Sequence, residues 1–258
     1  MPRMRLDKLL AHLNCGSRKE VQAMIRAGRV AVDGAVLTDP AAKVDPDTAQ
    51  VALDGQAQTY RAQRYYMLNK PAGVITASRD ERHDTVLGLF PENMRRGLFA
   101  VGRLDKDTEG LLIITDDGAL SHALMSPARH VSKIYEAEVD GTLAPDAAER
   151  FRTGLTLRDG TVCRPALLEV LSQQEGKACV RVTLREGKYH QVKRMIAAVG
   201  GTVVGLRRVQ LGGLRLDPAL SAGAFRELTG EELKQLRDGK ENRGKKLPKI
   251  FENFCTKM

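Results

Sequence analysis

The sequence predicts an α+β protein, with a small helix-helix-hairpin domain followed by a larger domain built on a large mixed, mainly antiparallel sheet flanked by helices. Three observations lead there. Near the amino-terminal end, Leu6, Leu9, Leu10 and Leu13 recur at helical spacing. Beyond residue 64, strand-like apolar runs outnumber helical ones, and turns such as Asp117-Gly118 and Asp159-Gly160 interrupt them. At 258 residues the chain exceeds one average domain and is long enough to bury its cores without staples.

After the Leu6 to Leu13 helix, Ser17 and Glu20 form an S-x-x-E capping box, and Val21, Met24 and Ile25 carry a second helix to Gly28. Val30 to Val32, the Asp33-Gly34 turn and Val36 read as a hairpin. Residues 54–64 are polar and lack periodicity, which suggests a linker. The domains are therefore placed at 1–58 and 59–237, with a basic tail at 238–258 expected to be disordered. In the second domain, strands are expected at 65–68, 99–101, 111–115, 133–139, 167–171, 178–184, 203–209 and 224–228. Helices are expected near 85–89, 119–125, 145–152, 190–199 and 231–237, the last opened by a Thr229/Glu232 capping box.

Lys and Arg number 41 against 32 Asp and Glu, a net charge of +9 that favours a polyanionic partner, either nucleic acid or an acidic membrane surface. No apolar run approaches the ~20 residues of a membrane-spanning helix. The start, Met-Pro-Arg-Met-Arg-Leu-Asp-Lys, lacks the apolar stretch of a signal peptide, so a cytoplasmic protein is expected. Cys15, Cys163, Cys179 and Cys255 form no C-x-x-C pair and the histidines are dispersed, so neither a metal site nor a disulfide framework is expected, and the cysteines read as reduced. The cations cluster. Residues 1–29 hold seven Lys or Arg against Asp7 and Glu20, and residues 185–208 hold six against Glu186, each a net of +5. Solvated helix faces account for ordinary charge runs, but cations crowded on two adjacent short helices suit phosphate contacts on structured RNA.

Three segments carry candidate chemistry. The run Gly102-Arg103-Leu104-Asp105-Lys106-Asp107-Thr108-Glu109-Gly110, followed by Leu111 to Thr115, sets a carboxylate beside two cations and leads into an apolar strand, which fixes Asp105 at a sheet edge. A lone Asp so placed is ordinarily a surface turn. Lys133-Ile134-Tyr135 sits in a strand, where Tyr135 would ordinarily be a core aromatic; the chain has no Trp, five Tyr and six Phe, so base-stacking platforms are scarce. In Glu186 to Met195, the apolar stripe of Val192, Met195, Ile196 and Val199 leaves Lys193 and Arg194 off its centre. A metal-dependent phosphodiesterase using Asp105, Asp107, Asp116 and Asp117 is a competing reading. Asp116-Asp117-Gly118 is more simply a turn, and no histidine ligands accompany it.

From about Met4 to Leu236 the chain resembles the RsuA-like, ribosomal small subunit branch of the pseudouridine synthases. The resemblance is carried by G-R-L-D at 102–105, K-x-Y at 133–135, H-Q-V-K-R-M at 190–195 and N-K-P-x-G at 69–73. The first 55 residues or so, with R-L-D-K-L-L, S-R-K-E and G-R-V-x-V-D-G in order, resemble an S4 RNA-binding domain. The resemblance implies a cofactor-free isomerase that converts a uridine of ribosomal RNA to pseudouridine. In it Asp105 is the catalytic residue, Tyr135 packs on the target base, and Lys193, where many relatives carry arginine, pairs with Asp105. It also implies RNA contacts from Arg5, Lys8, Arg18, Lys19, Arg26 and Arg29 in the small domain, and from Arg103, Lys188, His190, Gln191 and Arg194 in the large one. The form E-G-K-Y-H-Q-V-K-R-M points to 16S small-subunit rRNA, free or in an early-assembly state, as the partner. A monomer is expected, and no membrane partner. The alternatives are a 23S large-subunit uridine and a noncatalytic RNA-binding ribosome-assembly protein on the same scaffold. The joint presence of Asp105, Tyr135 and Lys193 argues against the latter.

Overall fold

A computed structural model describes residues 3–13, 15–58 and 63–238. The chain divides into two compact units, one running to residue 64 and including 91–96, the other comprising 65–90 and 97 onward. The expected disordered tail, apart from Asp238, lies outside the described residues.

In the first unit β1 (Met4–Arg5) leads into α1 (Leu6–His12), and α2 (Arg18–Arg26) follows. The predicted capping box is formed: the Glu20 N–H donates to Ser17 Oγ at 3.3 Å, and the Ser17 N–H donates to Glu20 Oε2 at 2.6 Å. Then come β2 (Val30–Val32), β3 (Ala35–Val36), β4 (Lys43–Val44), β5 (Val51–Leu53) and β6 (Gln56–Gln58). Leu6, Leu9, Leu10, Val21 and Ile25 are almost wholly buried against β2 and β5 residues, each side chain contributing ~1.5–3 kcal/mol relative to exposure. The sheet runs β3-β2-β5-β6, so part of the expected linker is a second hairpin. Asp54 and Gly55, with φ of 51° and 76°, make its two-residue turn, and a polar Gln-Ala-Gln strand offers no apolar alternation to read. A short α3 (Glu92–Arg95) belongs to this unit, where Arg64 donates to the Met94 and Arg96 carbonyls at 2.9 and 2.5 Å.

The second unit comprises β7 (Tyr65–Lys70), β8 (Phe99–Ala100), β9 (Glu109–Thr115), α4 (Gly118–Met125), β10 (Lys133–Asp140), α5 (Ala147–Thr153), β11 (Leu167–Gln174), β12 (Lys177–Leu184), α6 (Gln191–Ala198), β13 (Thr202–Leu211), β14 (Leu214–Arg215), β15 (Phe225–Glu227) and α7 (Gly230–Asp238). Its nine-stranded sheet has the order β11-β12-β10-β13-β9-β7-β15, with β8 on β9 and β14 on β13. Among the described residues every strand pair in it is antiparallel except β9 with β13. The predicted mixed, mainly antiparallel sheet is thus present.

β9 lies centrally, and from Gly110 to Thr115 every residue is buried. Leu111 and Ile113 join Met67, Val101, Val209 and Leu211 in the main core. No helix covers residues 85–89: the Val86 N–H bonds the Ile75 carbonyl at 3.0 Å and the Gly88 N–H closes a turn on Thr85 at 2.9 Å. Asp117 caps α4 by accepting from the Leu120 N–H at 2.9 Å. Cys15 and Cys163 are free, as the sequence leads one to expect, and Cys255 lies outside the described residues. Among the described residues no helix is long and apolar enough to cross a membrane.

Candidate active site

Asp105 stands in the loop between β8 and β9, at the edge of the sheet's centre. Two glycines pin the loop where other residues would not fit. Gly110 has φ 99°, and a Cβ there would collide with the Arg208 carbonyl of β13. Gly102 has φ 72°, and a Cβ there would lie 2.5 Å from Met125 Sδ. Thr76 Oγ1 donates to the Leu104 carbonyl at 2.7 Å and accepts from its N–H at 3.1 Å. The Thr108 N–H closes the turn on the Asp105 carbonyl at 3.1 Å.

Beneath the loop lies Lys70, wholly buried at the end of β7. Its ammonium donates to the carbonyls of Pro71, Lys106 and Thr108 at 3.0, 3.2 and 2.9 Å. Burial lowers the Lys70 pKa to about 8, and the nearby Asp107, Glu109 and Asp105 carboxylates offset only part of that. The Gly73 N–H also binds the Lys106 carbonyl, at 2.8 Å. The N-K-P-x-G segment therefore holds the Asp105 loop from below, a role that the sequence does not announce for Lys70.

Tyr135 comes from β10 and is 9% exposed. The register sets it opposite Arg208 of β13, so the two residues are cross-strand neighbours. Arg208 is 1% exposed; its Nε donates to the Leu111 carbonyl at 2.9 Å, and its Nη2 has no hydrogen-bond partner among the described residues. Lys133, two residues before Tyr135, has its pKa pushed down to about 8, first by burial and then by Arg208. Asp105, Tyr135, Lys133 and Arg208 line one cleft of about 860 Å³, within the range of small-ligand pockets. Thr108 Oγ1, on the same lining, is buried without a hydrogen-bond partner among the described residues. Buried polar atoms without partners are uncommon and call for an explanation, such as a bound substrate.

α6 and the loop before it close another side of the cleft. Gln191 and Val192 are on the lining, as are Arg103, Lys188 and His190. Gln191 is buried and accepts from the Lys188 N–H at 2.9 Å while donating to Glu186 Oε1 at 2.6 Å. Lys188 and Arg194 are turned to the protein, Lys188 to the Val162 carbonyl and Arg194 to Asp159. The expected Lys193–Asp105 pair is not formed. Lys193 Nζ donates to both oxygens of Asp107 at 2.6 Å and holds that carboxyl below its usual range. Asp105 Oδ1 instead lies 3.6 Å from Nε2 of His190. A compact ammonium without the planar fork of arginine is satisfied by one carboxylate, and here the more exposed one takes it.

The chain matches the RNA pseudouridylate synthase family model over residues 64–198 and the S4 domain model over residues 4–49. The chain belongs to the pseudouridine synthase family. It is an isomerase of the RsuA-like type carrying an S4 domain. It is 44% identical over 233 residues to ribosomal small subunit pseudouridine synthase A of Escherichia coli K12, covering 89% of this chain and 98% of that protein. It is 47% identical over 236 residues to YtzG, an uncharacterized RNA pseudouridine synthase of Bacillus subtilis strain 168, covering 91% of this chain and 99% of that protein. A crystal structure of a pseudouridylate synthase superposes with a TM-score of 0.64 at 33% identity, covering 90% of this chain and 99% of that one.

In the S4 unit, Lys8, Lys19 and Arg26 are exposed on α1 and α2. Arg29 is engaged in a two-point pair with Asp54 at 2.8 and 2.5 Å. Arg5 and Arg18 share Asp7, which is fully buried and accepts from Arg5 at 3.1 and 2.9 Å and from Gln22 at 2.8 Å, with Arg18 Nε 3.4 Å away. The Arg5 bonds, more than burial opposes, hold the Asp7 carboxyl well below the usual carboxylate range. Counted in the sequence only as a negative charge, Asp7 orders two of the cations expected to meet RNA.

Proposed function

We propose that the protein isomerises one uridine of ribosomal RNA, in the 16S small-subunit RNA, to pseudouridine, with Asp105 as the catalytic carboxylate and Tyr135 as the platform for the flipped base. The observation that carries this reading is the convergence of Asp105 and Tyr135, from separate sequence segments, on one cleft. The small-subunit assignment rests on the name and 44% identity of the Escherichia coli relative.

The reaction breaks the bond from N1 to C1′, turns the uracil and joins C5 to C1′. C5 loses a proton and N1 gains one, so atoms balance with no cofactor. A carboxylate beside C1′ serves as nucleophile or stabilises positive character on the sugar, and then moves a proton. On bond cleavage the electron pair goes to the base, and the cationic floor formed by Lys133 and Arg208 favours that negative charge. The target must leave its stack, at a cost of a few kcal/mol, and stacking on Tyr135 offsets ~1–3 kcal/mol of it. The exposed cations of the S4 unit supply phosphate contacts.

Mapping pseudouridines in rRNA with and without this gene tests the reading. Loss of a single 16S pseudouridine is expected. Loss of a 23S pseudouridine would move the target to the large subunit, and an unchanged rRNA map would overturn the assignment.

A further inference from the structure

Tyr189 is 75% exposed, the one aromatic among the widely exposed large apolar side chains of the described residues. A single exposed apolar residue is ordinary. The way this one is held is not. Its ring stacks on the imidazole of His190, with centroids 3.8 Å apart and planes 19° from parallel. His190 has a left-handed backbone, φ 48°, which is uncommon for a residue with a side chain and is favoured here by its surroundings.

The surroundings are in place. Gln191 ties the Lys188 N–H to Glu186 from below, and Arg194 Nη1 donates to the Tyr189 carbonyl at 3.3 Å. Both rings border the cleft, and His190 lies 3.6 Å from Asp105. A two-ring stack therefore begins beside Asp105 and ends, at Tyr189, in a ring face open to solvent. A ring fixed in advance loses little freedom when something stacks on it. The ligand suited to such a face, in a chain of net charge +9, is a planar group on a polyanion.

We propose that Tyr189 is a stacking platform for an unpaired nucleobase next to the target uridine, so that the enzyme selects uridines with an unpaired neighbour. This rests on the reading that the Asp105 cleft receives the flipped uridine. Tyr189 is then a positioning residue, which places the strand so that the uridine reaches Asp105.

The test uses the full-length protein and short single-stranded RNAs with one uridine flanked by 2-aminopurine, whose fluorescence is quenched on stacking. Wild-type protein should quench the probe. Tyr189→Ala should lose the quench and bind roughly 5- to 150-fold more weakly, while Tyr189→Phe and Tyr189→Trp restore both. An abasic flank should weaken wild-type binding by a similar factor and leave Tyr189→Ala unaffected. Equal quenching by Tyr189→Ala, or indifference of wild-type protein to the abasic flank, would overturn the proposal. Failure of the underlying function is read separately, as absence of pseudouridine in rRNA treated with the wild-type protein.

Discussion

Lys193 Nζ binds both carboxylate oxygens of Asp107 at 2.6 Å, and so anchors α6 to the loop that carries Asp105 two residues earlier. The side chains are 23% and 70% exposed, so the pair contributes at most about 1 kcal/mol to stability. If Lys193 acts by steadying this loop, Lys193→Met and Asp107→Asn should each slow single-turnover pseudouridine formation by a similar factor, roughly 3- to 10-fold. The double variant should be no worse than either single one. A much larger loss in Lys193→Met alone would show that Lys193 serves Asp105 directly once RNA is bound.

Lys70 ties three carbonyls beneath the same loop. Lys70→Met removes three hydrogen bonds and leaves the buried Thr108 carbonyl unsatisfied, at ~1–3 kcal/mol where water does not enter. Urea unfolding should show a loss of at least about 2 kcal/mol. An unchanged midpoint would mean that the Asp105 loop does not depend on this tether.

Lys133 gives a pH dependence with a definite sign. Its folded pKa of about 8 lies below the ordinary 10.5, so between these values the unfolded chain binds the extra proton. Stability gains from this group as pH rises through that window, and its burial penalty is fully present below it. Lys133→Met lacks the titration. The stability of wild type minus that of the variant should therefore increase from pH 8 to 10.5. A flat or falling difference would contradict the buried cation.

Lys8, Lys19 and Arg26 present exposed charge on the S4 helices. Replacing all three by Gln should make the plot of log affinity for rRNA against log salt shallower by roughly 0.7–0.9 for each phosphate that is no longer neutralised. An unchanged slope would remove these residues from the RNA interface.

What the sequence makes legible is local. The Ser17/Glu20 box is complete within four residues, and the Gly102 to Thr115 run announces both a loop and the buried strand after it. The β6 hairpin is hidden because its strand is polar, and Val86 with Leu87 imitates a helix where the chain only turns. In the site, Asp105 and Tyr135 are legible from their motifs. Lys70 and Arg208 are not, because their partners lie 38 and 97 residues away and only the folded sheet brings them together. The motif pairs Lys193 with Asp105, yet two carboxylates stand within one turn of the loop, and spacing does not say which of them a lysine on α6 will reach.

The catalytic role of Asp105 is tested most directly by tritium release from 5-tritiated uridine in rRNA, since C5 loses its hydrogen only when pseudouridine forms. Asp105→Asn keeps the side-chain shape but removes the nucleophile and base, so its release should fall by at least about a thousandfold while RNA binding stays within a few fold of wild type. Substantial tritium release by Asp105→Asn would contradict the assignment of Asp105 and place the chemistry on another group of the cleft.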